Sequence, residues 1–289
     1  MAYLTVENLT HIYGVGAPNS KTAIKNVSFN INKGETVGII GHTGSGKSTL
    51  VNHLNGLMKP TSGRILIDGA DIWDKPKEIK KIRAKVGLVF QYPEYQLFEE
   101  TVYKDIAFGP SNLGISGNEL DAVVRDAAAI MQISDELLQK SPFDLSGGQK
   151  RRVAIAGVLA MHPEIIVFDE PTAGLDPIGR ITIFKAIADY QKKYDATVLI
   201  VSHSMEDIAA LTDKILVMNS GEVAMFDETR KVFSEPDKLK EIGLGVPMIS
   251  DVFADLNIIN CSNGNLPLTV DDAVILIDEL LKKGGKSNA

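Results

Sequence analysis

The sequence of 289 residues has a single cysteine, Cys261, and no excess of positive charge. One cysteine excludes an intramolecular disulfide, which fits a reducing compartment. The 37 acidic residues outnumber the 30 lysines and arginines, so the net charge is −7. Because a nucleic-acid surface needs clustered lysines and arginines to neutralise phosphates, we expect no nucleic-acid partner.

The sequence also lacks a long hydrophobic run. A membrane-spanning helix needs about 18–20 apolar residues, whereas the longest apolar stretches, such as 165–168 and 198–201, have the length of a strand. The first ten residues show no basic segment followed by an apolar one, so we predict no signal peptide. If the protein acts at a membrane, we expect another chain to cross it.

Short apolar runs alternate with helical patterns along most of the chain. Residues 3–9 predict an edge strand, and residues 27–31 and 36–40 predict two strands of a hairpin. Buried strands are predicted at 64–67, 86–90, 165–168, 198–201 and 215–218, and helices at 47–58, 119–131, 146–161 and 177–194. This alternation predicts an α/β fold with a mostly parallel sheet and an antiparallel β subdomain.

The chain divides into two predicted domains. Residues 1–235 form the larger one, and residues 92–163 within it carry helical patterns only, which indicates a helical insertion between two strands. Residues 236–289 form a small C-terminal domain whose last helix, near 269–281, has Val274, Ile277 and Leu281 on one stripe. This domain is either a tail that packs on its own core or a contact with another subunit. We predict disorder at 283–289.

A phosphate-binding loop is the strongest motif. Residues Gly41-His42-Thr43-Gly44-Ser45-Gly46-Lys47-Ser48 match G-x-x-x-x-G-K-[ST] between a predicted strand and a predicted helix, which is the context the motif requires. The glycines let backbone N–H groups surround phosphate oxygens, and the helix N-terminus adds its partial positive charge. Lys47 is expected to reach the β- and γ-phosphates and Ser48 to offer a hydroxyl to Mg²⁺.

Polar residues follow several of the predicted strands. Asp169 ends a buried strand and can hold Mg²⁺, directly or through water, while Glu170 can polarise an attacking water. Gln91 and His203 also stand at strand ends, where each can contact the γ-phosphate, although a lone histidine there is often structural. Tyr13 precedes a glycine-containing loop and can stack on a base, or pack in the core instead.

A second anion-binding turn lies about a hundred residues after the first. Leu145-Ser146-Gly147-Gly148-Gln149 precedes a helix whose first turns carry Lys150, Arg151 and Arg152. Cations there are unfavourable against the helix dipole, and a bound anion would offset that cost. The alternative is a helix cap with an exposed basic face. One chain around one nucleotide has little use for both turns, whereas two facing chains could each close over the other's nucleotide.

Together these motifs resemble the ATP-binding-cassette (ABC) ATPase family over residues 3–230. The matches are Walker A at 41–48, the Q-loop at Gln91, the signature at 145–149, Walker B at 165–169 followed by Glu170, the D-loop Ala173-Gly174-Leu175-Asp176, and the switch residue His203. The resemblance implies a dimer with two ATP molecules at its interface. It implies catalytic roles for Glu170, His203 and Lys47, with Glu170 as base. It further implies ATP contacts from Tyr13, Gly41 to Thr49, Gln91, Ser146 to Gln149 (in trans) and Asp176, and Mg²⁺ contacts from Ser48, Gln91 and Asp169.

A narrower resemblance comes from the segment after the predicted strand at 86–90. Phe90-Gln91-Tyr92-Pro93-Glu94-Tyr95-Gln96-Leu97-Phe98 and Asp105-Ile106-Ala107-Phe108-Gly109-Pro110 look like the energy-coupling factor (ECF) branch, which drives bacterial uptake of vitamins and some metal ions. This implies a peripheral protein on the cytoplasmic side of the cell membrane. The implied partners are a second ABC ATPase subunit, a transmembrane coupling subunit and a substrate-binding membrane subunit. The Tyr-Pro-Glu-Tyr form resembles the second of two non-identical ATPase subunits, and the C-terminal extension would help hold the pair together.

Two other classes remain open on the sequence alone. A soluble ABC ATPase of DNA repair or translation shares the motifs, and a P-loop kinase shares the phosphate-binding loop without the signature. For the transporter reading, we expect some of the acidic residues Glu94, Glu99, Glu100 and Asp105 to pair with arginines of the transmembrane partner. The alternative is a solvated acidic loop.

Overall fold

The strands of this chain fall into two sheets. The structure, a computed structural model, describes residues 2–256 and 266–284, so Cys261 lies outside it. The strands are β1 (Ala2–Tyr13), β2 (Lys21–Asn32), β3 (Thr36–Ile40), β4 (Ser62–Ile67), β5 (Ala70–Asp71), β6 (Val86–Val89), β7 (Ile165–Asp169), β8 (Thr197–Val201), β9 (Lys214–Asn219) and β10 (Glu222–Glu228). One sheet has the order β10-β9-β3-β8-β7-β6, and the other has the order β2-β1-β4-β5.

Helices connect these strands and cover the larger sheet. They are α1 (Lys47–Leu54), α2 (Ile79–Lys85), α3 (Val102–Asn112), α4 (Gly117–Ile130), α5 (Asp135–Leu138), α6 (Gly147–Leu159), α7 (Pro177–Tyr194), α8 (Met205–Leu211), α9 (Thr229–Phe233), α10 (Pro236–Glu241), α11 (Met248–Asp255) and α12 (Val270–Gly284). Single 3₁₀ turns occur at Pro76–Glu78, Pro93–Gln96 and Pro142–Asp144. Helices α3 to α6 all lie between β6 and β7, as the helical insertion predicts.

In the larger sheet, five strands run parallel and β10 pairs antiparallel with β9. The central strands β7 and β8 are almost entirely apolar because both faces of the sheet are covered there, whereas the edge strand β10 is partly exposed. In β7, Ile166 and Phe168 face the core shared with α3, α4, α6 and α7, while Ile165 and Val167 face α1 and the antiparallel sheet. The predicted α/β fold class is confirmed, and the carboxyl ends of β3, β6, β7 and β8 meet at one edge.

Two predictions about the N-terminal strands are wrong. β1 is not an edge strand, because it lies between β2 and β4 and pairs antiparallel with both. β2 and β3 do not form a hairpin, because β2 belongs to the antiparallel sheet and β3 to the parallel one. A chain that changes sheets through a tight turn has the same local pattern as a hairpin, so the sequence did not separate the two cases.

The C-terminal segment is attached through a few specific contacts. Ser250 donates a hydrogen bond from Oγ to the carbonyl oxygen of Pro267, at 2.6 Å, and Arg230 forms an ion pair with Asp272. The predicted stripe on α12 is largely exposed: Val274, Ile277 and Leu281 are 60%, 44% and 70% accessible. Other residues of the segment, Leu239, Val246 and Leu268, are buried in the core. The predicted subunit contact therefore stays a prediction, for which the exposed stripe of α12 is the available surface.

The structure also bears on the ends of the chain. Helix α12 continues to Gly284, so residues 283 and 284 of the predicted disordered tail are helical, and residues 285–289 lie outside the described part. Within the described ranges, no helix combines the length and the apolarity that crossing a bilayer requires.

Candidate nucleotide-binding site

The phosphate-binding loop joins the end of β3 to the first turn of α1. Gly46 has φ +104°, and a Cβ there would lie 2.8 Å from the carbonyl oxygen of Ala23. Gly41 has φ +154°, and a Cβ there would lie 2.3 Å from the carbonyl oxygen of Met218. The loop passes so close to β2 and β9 that only glycine fits at these positions. This packing places the N-terminus of α1, with its unpaired N–H groups, at the carboxyl edge of the sheet.

Lys47 is buried at the start of α1. Its Nζ donates to the carbonyl oxygens of Gly41 at 2.6 Å and His42 at 3.0 Å. Burial lowers the pKa of Lys47, and the nearby carboxylates of Glu170 and Asp169 act in the opposite direction. Because the hydrogen-bond partners of this ammonium are neutral carbonyl groups, its positive charge is available to an anion that enters the cleft.

Two carboxylates stand at the end of β7. Burial first, and then the charge of Asp169, raises the pKa of Glu170 to about 7. The Oε1 atom of Glu170 is buried 3.4 Å from Nε2 of His203, and it has no hydrogen-bond partner among the residues that the structure describes. Burial also lowers the pKa of His203, so the imidazole is neutral at pH 7 and this contact is not a charged pair. A buried carboxylate oxygen without a donor is suited to accept a hydrogen bond from a water molecule.

These groups line one cavity of about 690 Å³, a size typical of ligand-binding clefts. The predicted site residues in its wall are Tyr13, Thr43, Gly44, Gly46, Lys47, Ser48, Thr49, Gln91, Asp169, Glu170 and His203. The structure therefore brings together residues from β1, the phosphate-binding loop, α1 and the ends of β6, β7 and β8.

Three predicted nucleotide-binding residues support this loop without lining the cavity. Gly41 packs against β9, and Nε2 of His42 lies 3.1 Å from Oδ1 of Asn219. The carbonyl oxygen of Ser45 accepts a hydrogen bond from Gly221 at 3.0 Å, and its Oγ is buried without a partner. The buried hydroxyl has unused hydrogen-bonding capacity inside the loop.

Tyr13 lies at the rim of the cavity and is 43% exposed. Its hydroxyl is 3.3 Å from Oγ1 of Thr49, and its ring meets the edge of His11 with centroids 4.5 Å apart. His11 in turn packs on the buried ring of His53, with centroids 4.8 Å apart. The core alternative for Tyr13 is therefore wrong, because an aromatic ring held at one edge remains accessible at the cavity.

Sequence reasoning missed five residues that line the cavity. They are Lys21, Thr22, Ala23, Val201 and Ser220. Three of them begin β2, and the register of the β1–β2 ladder pairs Tyr13 with Lys21. If residues on the two sides of the loop at 14–20 had been predicted to pair as antiparallel strands, the start of β2 would have been expected to lie beside Tyr13.

The signature residues lie elsewhere on the chain. Ser146, Gly148 and Gln149 line a second cleft of about 530 Å³, together with Arg152 and the D-loop residues 174–176. This cleft shares no lining residue with the first. The structure thus does not bring Ser146, Gly147, Gly148, Gln149 or Asp176 to the nucleotide cleft of their own chain.

Ser146 and Gln149 cap helix α6 reciprocally. The Gln149 N–H donates to Ser146 Oγ at 3.4 Å, and the Ser146 N–H donates to Gln149 Oε1 at 2.9 Å, which is a capping box. Asp176 caps α7 in a similar way, since its Oδ1 accepts from the Gly179 N–H at 2.6 Å. The N-termini of α6 and α7, which line the second cleft, are therefore held by capping hydrogen bonds within the chain.

Packing against the described part of the chain does not require glycine at either of the two glycine positions of the signature. A Cβ on Gly147 would meet nothing within 4 Å, and one on Gly148 would meet only Leu175, at 3.9 Å. Neither has a positive φ. Glycine in a helix costs about 0.5–1 kcal/mol relative to alanine. The lack of side chains leaves the second cleft open to a group from outside the chain.

Three of the four acidic residues after Gln91 already have partners within the chain. Glu94 forms an ion pair with Arg151, with its Oε1 2.6 Å from Nη2. Asp105 accepts from the Glu99 N–H at 3.0 Å, and Glu100 pairs with Lys104 at the surface. Glu94 is therefore the least available of the four to a partner's arginine, and the expectation that some of them bind such arginines stays a prediction.

Arg151 is likewise not part of an exposed basic face. Its side chain is only 3% exposed, and a carboxylate, rather than an anion at the helix end, balances its charge.

Comparisons with known proteins agree with this geometry. The family model of the ABC transporter matches residues 24–173. The energy-coupling factor transporter ATP-binding protein EcfA2 of Caldanaerobacter subterraneus subsp. tengcongensis is 56% identical over 253 residues, which cover 88% of this chain and 88% of the relative.

Two solved structures show the same fold. The structure of cbiO1 from Clostridium perfringens, described as part of the ABC transporter complex cbiONQ, has a TM-score of 0.75 and 38% identity, and covers 89% of this chain and 99% of its own. The dimeric cassette MJ0796, in a post-hydrolysis state bound to ADP and Pi, has a TM-score of 0.70 and 32% identity, and covers 78% of this chain and 99% of its own.

The phosphate-binding loop, the carboxylates at the end of β7 and the separate signature cleft all occur in this chain. The chain is also 56% identical to the EcfA2 relative over most of its length. This chain belongs to the ABC family of ATP-hydrolysing cassettes, among the ATP-binding subunits of energy-coupling factor transporters.

Proposed function

We propose that this chain is the second of two ATPase subunits of an ECF-type importer and that it works as a heterodimer with a similar cassette. The observation that carries the proposal is the separation of the two clefts. One chain holds a complete phosphate-binding cavity and, elsewhere, a signature cleft that its own nucleotide does not reach. Two such chains in opposite orientation would complete each other's sites.

In this proposal, ATP lies in the first cleft with its triphosphate at the N-terminus of α1. Lys47 contacts the β- and γ-phosphates, and the loop N–H groups between Gly41 and Thr49 surround them. Tyr13 supports the adenine, because its ring is partly exposed at the rim and is held in place by a T-shaped contact with His11. Base–aromatic stacking is worth about 1–3 kcal/mol, so this contact adds to the binding of the phosphates without dominating it.

The same cleft suits Mg²⁺. Ser48, Gln91 and Asp169 offer a hydroxyl, an amide oxygen and a carboxylate, and all three line the cavity. Oxygen donors are what Mg²⁺ prefers, and it is commonly held by one or two carboxylates together with substrate phosphates. The ion would neutralise charge on the phosphates when bound. Burial raises the pKa of Asp169, whereas the positive charge of Lys47 lowers it. A cation close to Asp169 therefore favours the ionised carboxylate.

Glu170 is the proposed general base for hydrolysis. Its buried Oε1 can accept a proton from the attacking water, and a pKa near 7 matches that task. Neutral His203, 3.4 Å away, can donate or accept a hydrogen bond beside the γ-phosphate. Lys47 stabilises the charge that develops on the phosphate.

The dimer partner would cover the remaining side of each nucleotide. Ser146, Gly147, Gly148 and Gln149 would approach the γ-phosphate of the partner's ATP with the N-terminus of α6, and Asp176 would lie at the interface. The residues 236–289 would add to the contact, because the apolar stripe Val274, Ile277 and Leu281 of α12 is exposed. Exposed apolar side chains of this kind are typical of a subunit interface.

A groove beside Gln91 is the proposed contact with the transmembrane coupling subunit. It has a volume of about 730 Å³ and is mostly apolar, with Leu57, Phe98, Phe108 and Leu113 in its wall. It lies between the helical insertion and the parallel sheet, so a helix seated there would respond to movement between them. This would place the chain at the cytoplasmic side of the cell membrane, with a separate membrane subunit selecting a vitamin or other micronutrient.

The proposal is tested by reconstitution. The chain is co-expressed with a second cassette and a transmembrane coupling subunit of the same genome, and the complex is purified with a tag on this chain. We expect one copy each of the two cassettes with the membrane subunit, and ATP hydrolysis that needs both cassettes. Full-rate hydrolysis by this chain as a strict monomer would contradict the proposal. Stimulation by DNA or ribosomes without membrane partners would favour the soluble class instead.

A further inference from the structure

Arg151 occupies an unusual place for a charged side chain. It lies in the second turn of α6, close to the signature, and its side chain is 3% exposed. Its Nε donates to Oε2 of Glu94 at 2.9 Å and its Nη2 donates to Oε1 at 2.6 Å, so the two side chains form a bidentate pair. Glu94 stands in the 3₁₀ turn just after Gln91.

The remaining guanidinium nitrogen reaches a third segment. Nη1 donates to the carbonyl oxygens of Pro171, which follows Glu170, and Ala173, the first residue of the D-loop. The guanidinium carbon also lies 5.5 Å from the centre of the Tyr92 ring. One side chain thus contacts the segment after Gln91, the segment after Glu170 and, through its own backbone, the signature helix.

This arrangement is poorly explained by stability alone. Burying two charges costs desolvation free energy that the mutual attraction only partly returns, and apolar residues often replace such pairs without loss. Burial raises the pKa of Glu94, but the hydrogen bonds from Arg151 outweigh it and hold that pKa below its ordinary value. The planar guanidinium group of arginine fixes the orientation of its hydrogen-bond partners, because each of its N–H donors points in a set direction.

The neighbouring backbone also needs to be held. Tyr92 has φ +55°, a left-handed conformation that costs an ordinary residue free energy unless its surroundings maintain it. Tyr92 follows Gln91 directly, and Gln91 lines the nucleotide cavity. The position of the Gln91 side chain therefore depends on how firmly Tyr92 and Glu94 are anchored to α6.

We propose that Arg151 is a positioning residue for ATP hydrolysis: it ties the Gln91 segment and the segment between Glu170 and Asp176 to the signature helix, so that the three move as one unit when the site closes. Glu94 then acts inside the cassette and not as a docking residue for a membrane partner. The inference goes beyond the proposed transport function, because it concerns the ATPase reaction of the assembled cassettes.

The test uses the assembled complex with Arg151→Met, Arg151→Lys, Glu94→Gln and the double variant Arg151→Met/Glu94→Gln. We expect Arg151→Met to lower kcat about 10–100-fold, since small misplacement of catalytic groups has effects of that size, while the KM for ATP changes less than about threefold. Arg151→Lys keeps the positive charge but lacks the planar guanidinium group, and we expect a kcat between those of the wild type and Arg151→Met. The membrane partner stays bound in every variant.

Stability is separated from positioning by the double variant. Arg151→Met alone leaves a buried carboxylate unpaired, so its melting temperature falls, and Glu94→Gln should restore it. The kcat of the double variant should stay low, because the carbonyl groups of Pro171 and Ala173 still lack their donor. Arg125→Met, which removes surface pairs with Asp121 on α4 and Asp135 on α5, is the matched control and should leave both quantities unchanged.

Two results would overturn the proposal. If kcat recovers together with the melting temperature in the double variant, the role of Arg151 is structural. If Glu94→Gln releases the transmembrane subunit while kcat of the remaining cassettes is unaffected, Glu94 is a docking residue.

Discussion

At the scale of single residues, burial decides the chemistry of the nucleotide cleft. Glu170 and Asp169 are adjacent carboxylates at one strand end, yet only Glu170 has its pKa raised as far as about 7. Burial is the larger cause and the charge of Asp169 adds to it, whereas Lys47 opposes both. The same burial holds Lys47 among carbonyl oxygens and keeps His203 neutral. The cleft therefore offers a base, a cation and a neutral imidazole within one small volume.

Replacing Glu170 by glutamine tests its role as base. Because glutamine keeps the shape and cannot accept the proton, kcat should fall about 10²–10⁴-fold, the usual contribution of general base catalysis. ATP affinity should remain, since Lys47 and the loop are intact. Steady-state ATPase assays and nucleotide-binding titrations measure the two quantities. Lys47→Ala is the contrasting variant, in which affinity itself should fall; turnover near wild type in Glu170→Gln would show that another group takes the proton.

At the scale of elements, helix α1 serves both the site and the core. Its first residue is Lys47, and His53 in its last turn is fully buried. A cation near a helix C-terminus gains up to about 2 kcal/mol at best, which would favour the charged histidine. The effect of burial is larger than that of the helix dipole, because burial lowers the pKa of His53 to about 4. His53 donates from Nδ1 to the carbonyl oxygen of Met58 at 2.8 Å and packs behind His11 and Tyr13.

This burial predicts an acid-sensitive helix. The unfolded chain binds a proton at His53 near pH 6.5, and the folded chain does so only near pH 4, so stability is complete above pH 6.5 and is lost as the pH falls towards 4. Between pH 7.5 and pH 5 we expect this residue to cost about 2 kcal/mol. Urea unfolding at both pH values, compared with His53→Asn, which keeps a donor to Met58, measures it. Equal losses in the two proteins would contradict the prediction.

At the scale of the whole molecule, the chain is organised for pairing. Its two clefts share no lining residue, and among the described residues only Leu175, at 3.9 Å, would meet a Cβ on either signature glycine. Moving a two-state equilibrium from 1:99 to 99:1 requires about 5.5 kcal/mol of differential binding. Two triphosphates that each contact both subunits are a sufficient source, because hydrogen bonds to charged groups are worth about 1.5–3 kcal/mol each.

The Gly148→Ala variant distinguishes the stability of the single chain from the ATPase activity of the paired cassettes. Because the added methyl group meets only Leu175 at 3.9 Å and the residue is helical, the isolated chain should gain about 0.5–1 kcal/mol of stability. Its own ATP affinity should not change, since Gly148 is not in that cleft. The paired cassettes should lose ATPase activity, because the methyl group would meet the partner's nucleotide. Urea unfolding, ATP titration and ATPase assays check the three expectations; full activity would show that nothing approaches Gly148.

Much of this protein was already determined by local sequence. Uninterrupted apolar strands such as 165–168 indicate a sheet covered on both faces, and a glycine-rich loop before Lys47 indicates a phosphate site, because these features depend on burial and backbone geometry within a few residues. The helix predicted at 177–194 coincides with α7 for the same reason. Gln91, Asp169, Glu170 and His203 of the first cleft were accessible to sequence reasoning because each stands at the end of a predicted strand.

Only the tertiary structure decided which distant segments meet. The placement of β2 and β3 in different sheets, the lining of the cleft by Lys21 and the pairing of Glu94 with Arg151 all depend on contacts across many residues. A local pattern identifies Arg151 as a cation in the first turns of a helix, but its burial and its carboxylate partner follow from the packing of the helical insertion. The physical reason is that local conformation depends on neighbours in sequence, whereas desolvation and charge pairing depend on neighbours in space.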